Sequence, residues 1–263
     1  MKEKGSVVIS ISICVLLSVL IGYLTFFVNT GYKKPIPDEI NIEGNKLLSE
    51  EDYLIFTRLT QNKNNSRYTE AIIKDRFEKH PYISRADVEL SGQRTLKVNA
   101  VEKDIKAIII IDSEPCLISK DYQVLPLFTN INDLDLPLIT NIIMNENVKQ
   151  LSFIKNEDLV QAFRIIDAFS SLQDQDILMS LSEINLNSRS GLAFNNEVVL
   201  SFTGINSKVL FGKGDEARKA VAFEALWRST NIGEFNLDSI SYVDLRFAGK
   251  VYYAGINNTG DIQ

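Results

Sequence analysis

Residues 81–102 read PYISRADVELSGQRTLKVNAVE, and this stretch decides how the first half of the chain folds. Alternation of apolar and polar residues is typical of a strand with one buried face, and a Ser-Gly pair between two such runs is typical of a turn. The stretch therefore predicts two antiparallel strands joined at Ser91-Gly92. The apolar positions that carry this prediction are Ala86, Val88, Leu90, Leu96, Val98 and Ala100.

The residues before this hairpin predict one more strand and two helices. An alternating run from Ile40 leads into Gly44-Asn45, which indicates a strand followed by a turn. Ser49 precedes three acidic residues and an apolar pattern of helical spacing, so we expect it to be the N-cap of the first helix. The second helix must end before Pro81, because proline disfavours helical backbone in the residue before it. This order predicts a small β-α-α-β-β domain over residues 40–106, with both helices on one face of its sheet.

Residues 6–28 form an uncharged run rich in Val, Ile, Leu and Phe. As a helix this run would measure about 34 Å, which is enough for a bilayer core of about 30 Å. We therefore predict a transmembrane helix over residues 6–28 after a short cytoplasmic tail, residues 1–5; a cleaved signal peptide is the alternative. Lysines flank both ends, so charge alone does not set the orientation. Residues 29–39, which contain Pro and Gly, are predicted to be a linker.

The remaining residues, 107–256, predict a larger β domain. Short β-branched runs separated by polar turns predict a mostly antiparallel sheet. Helical spacing after Asn156, and again through Trp227, predicts two or three helices. The charged residues 215–219 are interpreted as the solvent-exposed first turn of the last helix. The fold class predicted for the chain is α+β, with an N-terminal transmembrane helix, the small β-α-α-β-β domain and this larger, mostly antiparallel β domain.

The chain has one histidine and two cysteines, too few for a zinc site or a disulfide framework. His80 is predicted to be the last residue of the second helix, where a basic side chain interacts favourably with the helix dipole. Cys14 lies in the apolar run, and Cys116, predicted to be a half-buried strand residue, has no basic neighbour that would activate its thiol.

The reactive residue types and the net charge exclude several classes of function. The net charge of −6 disfavours binding to nucleic acid. No G-x-S-x-G or H-E-x-x-H motif occurs. We therefore predict no catalytic, cofactor-binding or metal-binding residues and no small-molecule substrate. A hydrolase stays as an alternative, because paired carboxylates need no fixed spacing in the sequence.

The end of the chain predicts a terminal hairpin. Apolar and polar residues alternate over residues 240–247, Ala248-Gly249 forms a turn, and a last strand runs from Lys250 to Ile256. A flexible tail over residues 257–263 follows. A last strand has one edge without a neighbour, and another chain can add a strand to that edge.

Two tyrosines of this last strand are predicted to anchor a partner. Tyr252 and Tyr253 are adjacent, and adjacent residues of a strand point to opposite faces. We therefore expect one ring to pack inward and the other to meet the partner with its amphipathic ring.

These elements resemble the FtsQ/DivIB family of bacterial cell-division proteins, whose small domain is a POTRA domain. The family's opening "GN, two residues, LS" is similar to residues 44–49, and its "P-x-I-x-x-A-x-V" strand is similar to residues 81–88. Its strand ending in "V-x-E-R-x-P" resembles residues 96–102, followed here by Lys103 and Ile105 in place of Arg and Pro.

The C-terminal half carries further pieces of this resemblance. Leu136-Pro137 is similar to the family's "LP" element, and Val243-Asp244-Leu245-Arg246-Phe247 resembles its "VDLRY" signature. The chain departs from the family at Tyr122, where the family commonly has Gly.

The resemblance implies a non-enzymatic divisome scaffold that binds coiled-coil partners of the FtsB/DivIC and FtsL types and helps assemble and regulate septal peptidoglycan synthesis. It also implies a single-pass protein of the bacterial inner membrane at the division septum, with its N-terminus inside and its bulk periplasmic or extracytoplasmic. The alternative within the same fold is a POTRA-bearing envelope transport component. We expect a partner strand to add beside the last strand, with Arg246 pairing an acidic partner residue. The predicted partner-binding residues are Arg246, Phe247, Lys250, Val251, Tyr252, Tyr253, Ala254, Gly255 and Ile256.

Overall fold

The structure is a computed structural model, and it describes most of the chain in separate stretches. Several of the features predicted above lie outside the described residues. They are the tail 1–5, residues 6–12 and 26–28 of the predicted transmembrane helix, the linker apart from Glu39, Gly92, Ala248, Ile256 and the tail 257–263. The described stretches are residues 13–25, 39–59, 69–91, 95–132, 134–144, 148–188, 197–231, 237–247 and 249–255.

The first helix, α1, covers residues 13–25, and its side chains are exposed. Within the described residues, no helix is both long enough and apolar enough to cross a membrane. The predicted transmembrane helix over residues 6–28 is therefore corrected, and so is the inner-membrane localisation that depended on it.

A three-stranded sheet and two helices follow. The strands lie in the order β1-β3-β2, with β1 parallel and β2 antiparallel to the central β3. Ser49 is the N-cap of α2, as predicted, because its side chain accepts a hydrogen bond from the backbone N–H of Asp52. The elements are β1 (Glu39–Glu43), α2 (Glu50–Thr57), α3 (Glu70–Glu78), β2 (Ile83–Ser91) and β3 (Thr95–Glu102).

The loop between β1 and α2 is fixed by the last residue of β3. The Glu102 carboxylate accepts hydrogen bonds from the backbone N–H groups of Lys46 (3.0 Å) and Leu47 (3.0 Å). Gly44 begins this loop with φ +88°, and a Cβ at this position would overlap the carbonyl oxygen of Ala100. The loop that begins at Gly44 and the glutamate that ends β3 are thus two parts of one local structure, although they are far apart in the sequence.

The larger sheet has nine strands in the order β12-β11-β10-β9-β8-β7-β4-β5-β6. A short 3-10 helix, Leu237–Ser239, precedes β11. The strands are β4 (Ile105–Ile111), β5 (Glu114–Ser119), β6 (Val124–Pro126), β7 (Leu138–Thr140), β8 (Leu181–Ser188), β9 (Glu197–Phe202), β10 (Lys208–Leu210), β11 (Ile240–Asp244) and β12 (Tyr252–Gly255). The helices are α4 (Glu157–Ser170), α5 (Gln175–Ser180) and α6 (Glu216–Asn231).

This sheet is mixed, not mostly antiparallel. Strands β4 and β7, β7 and β8, and β10 and β11 are parallel pairs. Helices α4 and α5 lie between β7 and β8 in the chain, and α6 lies between β10 and β11, so each connection returns the chain to the end where the previous strand began. The predicted α+β class is therefore wrong: the described chain is a mixed α/β protein with a nine-stranded sheet, a three-stranded sheet and six helices.

The core of the larger sheet is dense in aromatic rings. Phe202 of β9 stacks on Phe223 of α6 with ring centroids 4.6 Å apart, and Phe169 of α4 packs edge-on against both. Cys116 of β5 is fully buried in the same core, deeper than the predicted half-buried position, and burial raises the pKa of its thiol. This cysteine is a small apolar residue of the core.

His80 lies beyond the end of α3 in an aromatic cage. Its Nδ1 accepts a hydrogen bond from the backbone N–H of Tyr82 (3.1 Å). Burial, with a smaller effect of Lys103, lowers the pKa of His80 to about 4, so the imidazole is neutral at pH 7. The predicted interaction of a charged His80 with the helix dipole is therefore wrong. The rings of the cage are Tyr53, Phe56, Tyr82 and Phe128, with centroids 4.4 to 5.9 Å from the imidazole.

The two sheets share this cage and the core beneath it. Tyr82 donates its hydroxyl proton to the carbonyl of Pro126 (2.7 Å). The Lys103 ammonium donates to the carbonyl of Pro81 (2.6 Å) and to the Gln123 side chain (2.8 Å). Leu117 and Leu125 of the larger sheet belong to the core of the small sheet. The small and large sheets are therefore packed against each other through a common hydrophobic core.

Acidification is expected to destabilise this junction through His80. The pKa of this residue is about 4 when folded and about 6.5 when unfolded. The unfolded state therefore binds the proton more tightly, so the contribution of His80 to stability is complete above pH 6.5 and is lost as the pH falls toward 4. At about 1.4 kcal/mol per pKa unit, the loss is up to about 3 kcal/mol. Denaturant unfolding of the wild type and of His80→Phe at several pH values measures it, and an identical pH dependence in both proteins would contradict the assignment.

Candidate partner-binding edge

Strand β12 is the last strand at one end of the nine-stranded sheet. It pairs antiparallel with β11, with Asp244 opposite Tyr252, which confirms the predicted terminal hairpin. No strand among the described residues pairs with its other side. Lys250 and Val251 belong to the connection before β12, so the strand begins later than predicted.

The opposite edge of the same sheet is covered. There the backbone N–H of Val124 in β6 donates to the carbonyl of Ser152 (2.9 Å), and the backbone N–H of Leu151 donates to the carbonyl of Val124 (2.8 Å). The backbone groups of this edge are already hydrogen-bonded, so an incoming strand could pair with them only by breaking these bonds. The two edges of the sheet therefore differ: residues 151 and 152 are hydrogen-bonded to β6, whereas no described strand pairs with the outer side of β12.

The connection between β11 and β12 is a tight turn. Gly249 has φ +70°, and the backbone N–H of Lys250 donates to the carbonyl of Phe247 (3.3 Å). A positive φ is readily adopted by glycine, which explains the residue at this position. The turn places Phe247 beside Tyr252, with the two rings edge-on and their centroids 5.3 Å apart.

The aromatic side chains of the hairpin are exposed. Phe247 is 54% exposed, Tyr252 is 47% exposed and Tyr253 is 56% exposed. The prediction that one of the two tyrosines packs inward is wrong, because Tyr252 contacts the exposed ring of Phe247 and the half-buried Val251 packs against the core. Large amphipathic rings at a sheet edge are typical anchors of protein interfaces.

Arg246 is engaged within the chain. Its Nε and Nη2 donate to the two carboxylate oxygens of Asp244 (2.8 and 2.6 Å), and its Nη1 donates to Glu197 (2.7 Å). Burial raises the pKa of Asp244, but the hydrogen bonds and charge of Arg246 outweigh burial and hold this pKa below its usual value. Arg246 thus joins the end of β11 to the start of β9. Its predicted pairing with a partner carboxylate would require these bonds to break.

A groove of about 150 Å³ lies between α6 and the hairpin turn. Three of its residues are basic, and one of these, Lys219, is buried, so the interpretation of residues 215–219 as a wholly solvent-exposed turn is wrong. The Lys219 ammonium donates to the carbonyl of Lys213 (3.1 Å), and burial lowers the pKa of this side chain. The lining residues are Arg218, Lys219, Ala222, Leu245, Phe247, Gly249, Lys250 and Val251.

Sequence reasoning placed the aromatic residues of the hairpin at this edge but missed the contribution of α6. Arg218 and Lys219 lie in the first turn of α6, so the rest of this helix separates them from the hairpin in the sequence. Only the parallel crossover from β10 to β11 brings them beside Lys250. The groove can accept acidic and apolar side chains of a segment bound at the edge. Comparison of the chain with protein-family models and with curated proteins finds no match.

Proposed function

We propose that this chain is a scaffold of the FtsQ/DivIB type that binds coiled-coil division proteins through β12. The observation that carries the proposal is the contrast between the two edges of the nine-stranded sheet. The β6 edge is hydrogen-bonded to residues 151–152, whereas β12 pairs on one side and carries exposed aromatic rings. Such an edge is the usual site of β-strand addition.

The placement of the reactive side chains supports binding over catalysis. The single histidine is neutral and enclosed by aromatic rings, and Cys116 is buried with a raised pKa. Both residues stabilise cores, and neither lines the groove beside β12. A general base or nucleophile must reach its substrate, and these two groups do not meet that requirement.

The geometry suggests how a partner is recognised. An extended partner segment adds beside β12 and forms backbone hydrogen bonds with it. Phe247, Tyr252 and Tyr253 then pack against apolar side chains of that segment, while acidic side chains enter the groove near Lys219 and Lys250. Partners of the FtsB/DivIC and FtsL types follow from the resemblance of residues 243–247 to the family signature, and through them the chain would help assemble and regulate septal peptidoglycan synthesis.

The test is a binding assay between the full-length chain and the soluble regions of FtsB- and FtsL-like proteins from the same genome. Tyr252→Pro and Tyr253→Pro are compared with the wild type, because proline cannot donate to a strand ladder. Adjacent residues direct their backbone N–H groups to opposite edges of a strand. One of these two variants is therefore expected to keep the β11–β12 ladder and the wild-type melting temperature, yet to bind partners about 100-fold more weakly.

A matched variant separates the backbone from the side chains. Tyr252→Thr keeps the N–H group and a high strand propensity but removes the ring, so we expect about tenfold weaker binding, a smaller loss than with proline. If the folded wild type binds neither coiled-coil partner, alone or mixed, the proposal is refuted. Binding that both prolines leave unchanged would refute the edge-strand mechanism.

A further inference from the structure

The β6 edge is covered by residues 149–155, here named the strap. The strap begins with a turn, in which the backbone N–H of Ser152 donates to the carbonyl of Lys149 (3.2 Å), and continues as an extended segment. Phe153 pairs with Gln123 in an isolated antiparallel bridge. The backbone N–H of Ile154 donates to the carbonyl of Tyr122 (2.9 Å), and the Gln123 side chain donates to the carbonyl of Leu151 (3.1 Å). These bonds, with those between the strap and Val124, hold the strap along the outermost strand. The strap is therefore the physical border of the sheet at the end opposite β12.

The strap alternates like a strand with one face in the core. Ser152 and Ile154 are half-buried, and Ile154 packs against the main core. The side chains between them face outward, with Leu151 49% exposed and Phe153 68% exposed. Exposed lysines flank this apolar pair at positions 149 and 155. The exposed side chains of the strap thus include the apolar Leu151 and Phe153, with Lys149 in the turn before them and Lys155 after them.

Two residues at this site have unfavourable backbone geometry. Leu151 has φ +67° and Tyr122 has φ +64°. These values lie in the left-handed region of backbone conformation, which residues other than Gly, Asn and Asp rarely adopt. Stability alone favours glycine or asparagine at position 151 and a polar side chain at position 153. A strained backbone that exposes large apolar side chains is a reason to infer a binding role, since such outliers concentrate at ligand-binding segments.

We propose that the strap is a second docking surface, and that its partner is an acidic peptide segment with alternating apolar side chains. Charge complementarity argues for this partner. Lys149 and Lys155 place positive charge at both ends of the apolar pair, and the Lys155 ammonium lies 5.1 Å from the centre of the Tyr122 ring. The strap itself, residues 149–155, contains two lysines and no acidic residue. Asp121 lies on the neighbouring turn, and Glu157 begins α4.

This surface is independent of the proposed function, because it lies at the opposite end of the sheet from β12. The probe is the synthetic peptide Glu-Leu-Glu-Phe-Glu-Leu-Glu, titrated into the isotopically labelled full-length chain and followed by NMR chemical shifts. We expect saturable shifts confined to the strap and to residues 122–124. The double variant K149E/K155E should weaken binding about tenfold or more, and the peptide with Lys in place of Glu should not bind.

Side-chain variants separate binding from folding. Phe153→Ser should abolish peptide binding. Leu151→Asn should weaken it while leaving the melting temperature unchanged or raising it, because asparagine tolerates positive φ. Met179→Ser removes an equally exposed apolar side chain from α5, 53% exposed, and should leave peptide binding unchanged. A lower melting temperature for Leu151→Asn would identify Leu151 as a packing residue and overturn the inference.

Further outcomes distinguish the remaining possibilities. Absence of shifts at the strap, or equal binding of the Lys peptide, overturns the proposal. If sedimentation velocity shows a dimer of the chain that Phe153→Ser dissociates, the occupant is a second copy, and the acidic-peptide assignment is wrong. The prolines in β12 should leave peptide binding at the strap intact. The proposals for the strap and for β12 can therefore be refuted independently of each other.

Discussion

Replacing Arg246 with methionine is expected to lower the free energy of unfolding by about 3 to 4 kcal/mol. The Asp244 side chain is 6% exposed and the Arg246 side chain is 15% exposed, so this pair is largely removed from water. Methionine fills a similar volume but leaves the buried Asp244 carboxylate without its hydrogen-bonded cation, so that only the charge of Lys219 acts on it. The substitution also releases Glu197. The expected result is a large loss, because an unpaired buried charge is strongly destabilising.

Urea unfolding of the wild type and three variants measures this effect. Arg218→Met is the matched control, because Arg218 pairs with Asp215 at the surface, with side chains 51% and 66% exposed. Its expected loss is below about 1 kcal/mol. Adding Asp244→Asn to Arg246→Met should recover part of the stability, since the orphaned charge is then removed. A loss below about 1 kcal/mol for Arg246→Met would show that this residue is free to pair with a partner, as the sequence suggested.

Replacing Gly44 with alanine is expected to cost about 3 to 5 kcal/mol or to prevent folding. Two effects add at this position. The φ of +88° disfavours any residue with a Cβ, and the Cβ would overlap the carbonyl oxygen of Ala100. The strands β1 and β3 must then separate, and the loop at Lys46 and Leu47 must move away from Glu102.

Gly204 provides a matched control for this prediction. Its φ of +85° is nearly the same, but no atom lies within 4 Å of the position that a Cβ would take. Gly204→Ala should therefore show only the cost of the left-handed backbone, about 1 to 2 kcal/mol. Denaturant unfolding of both variants gives the comparison. Equal losses would mean that the contact with Ala100 contributes nothing and that backbone conformation accounts for the whole effect.

Local patterns in the sequence predicted local structure well. The alternation over residues 81–102 predicted β2 and β3, and the acidic residues after Ser49 predicted the cap of α2. The terminal hairpin was predicted for the same reason, because alternation and a glycine turn are properties of neighbouring residues. Its partner-binding role stays a proposal that the binding assay tests.

Predictions failed where the outcome depended on distant parts of the chain. An uncharged run at the N-terminus predicted a transmembrane helix, but no helix among the described residues is long and apolar enough to cross a membrane. His80 was assigned to a helix dipole, yet rings of α2 and the distant Phe128 pack against it, and burial keeps it neutral. Arg246 was expected to pair with a partner carboxylate, and within the chain it is held by Asp244 and by Glu197 of a distant strand, so its pairing with a partner stays a prediction.

The sequence by itself determined which residues form strands, helices and turns, because periodicity, capping and turn chemistry act over a few neighbouring residues. Tertiary structure alone decided the order of the nine strands and the parallel pairings that α4, α5 and α6 make possible. It also decided that the strap lies along the β6 edge and that β12 is the last strand at the other edge of the sheet among the described residues. The physical reason is that hydrogen bonds between strands and the burial of charged groups depend on the spatial position of segments that are remote in the sequence.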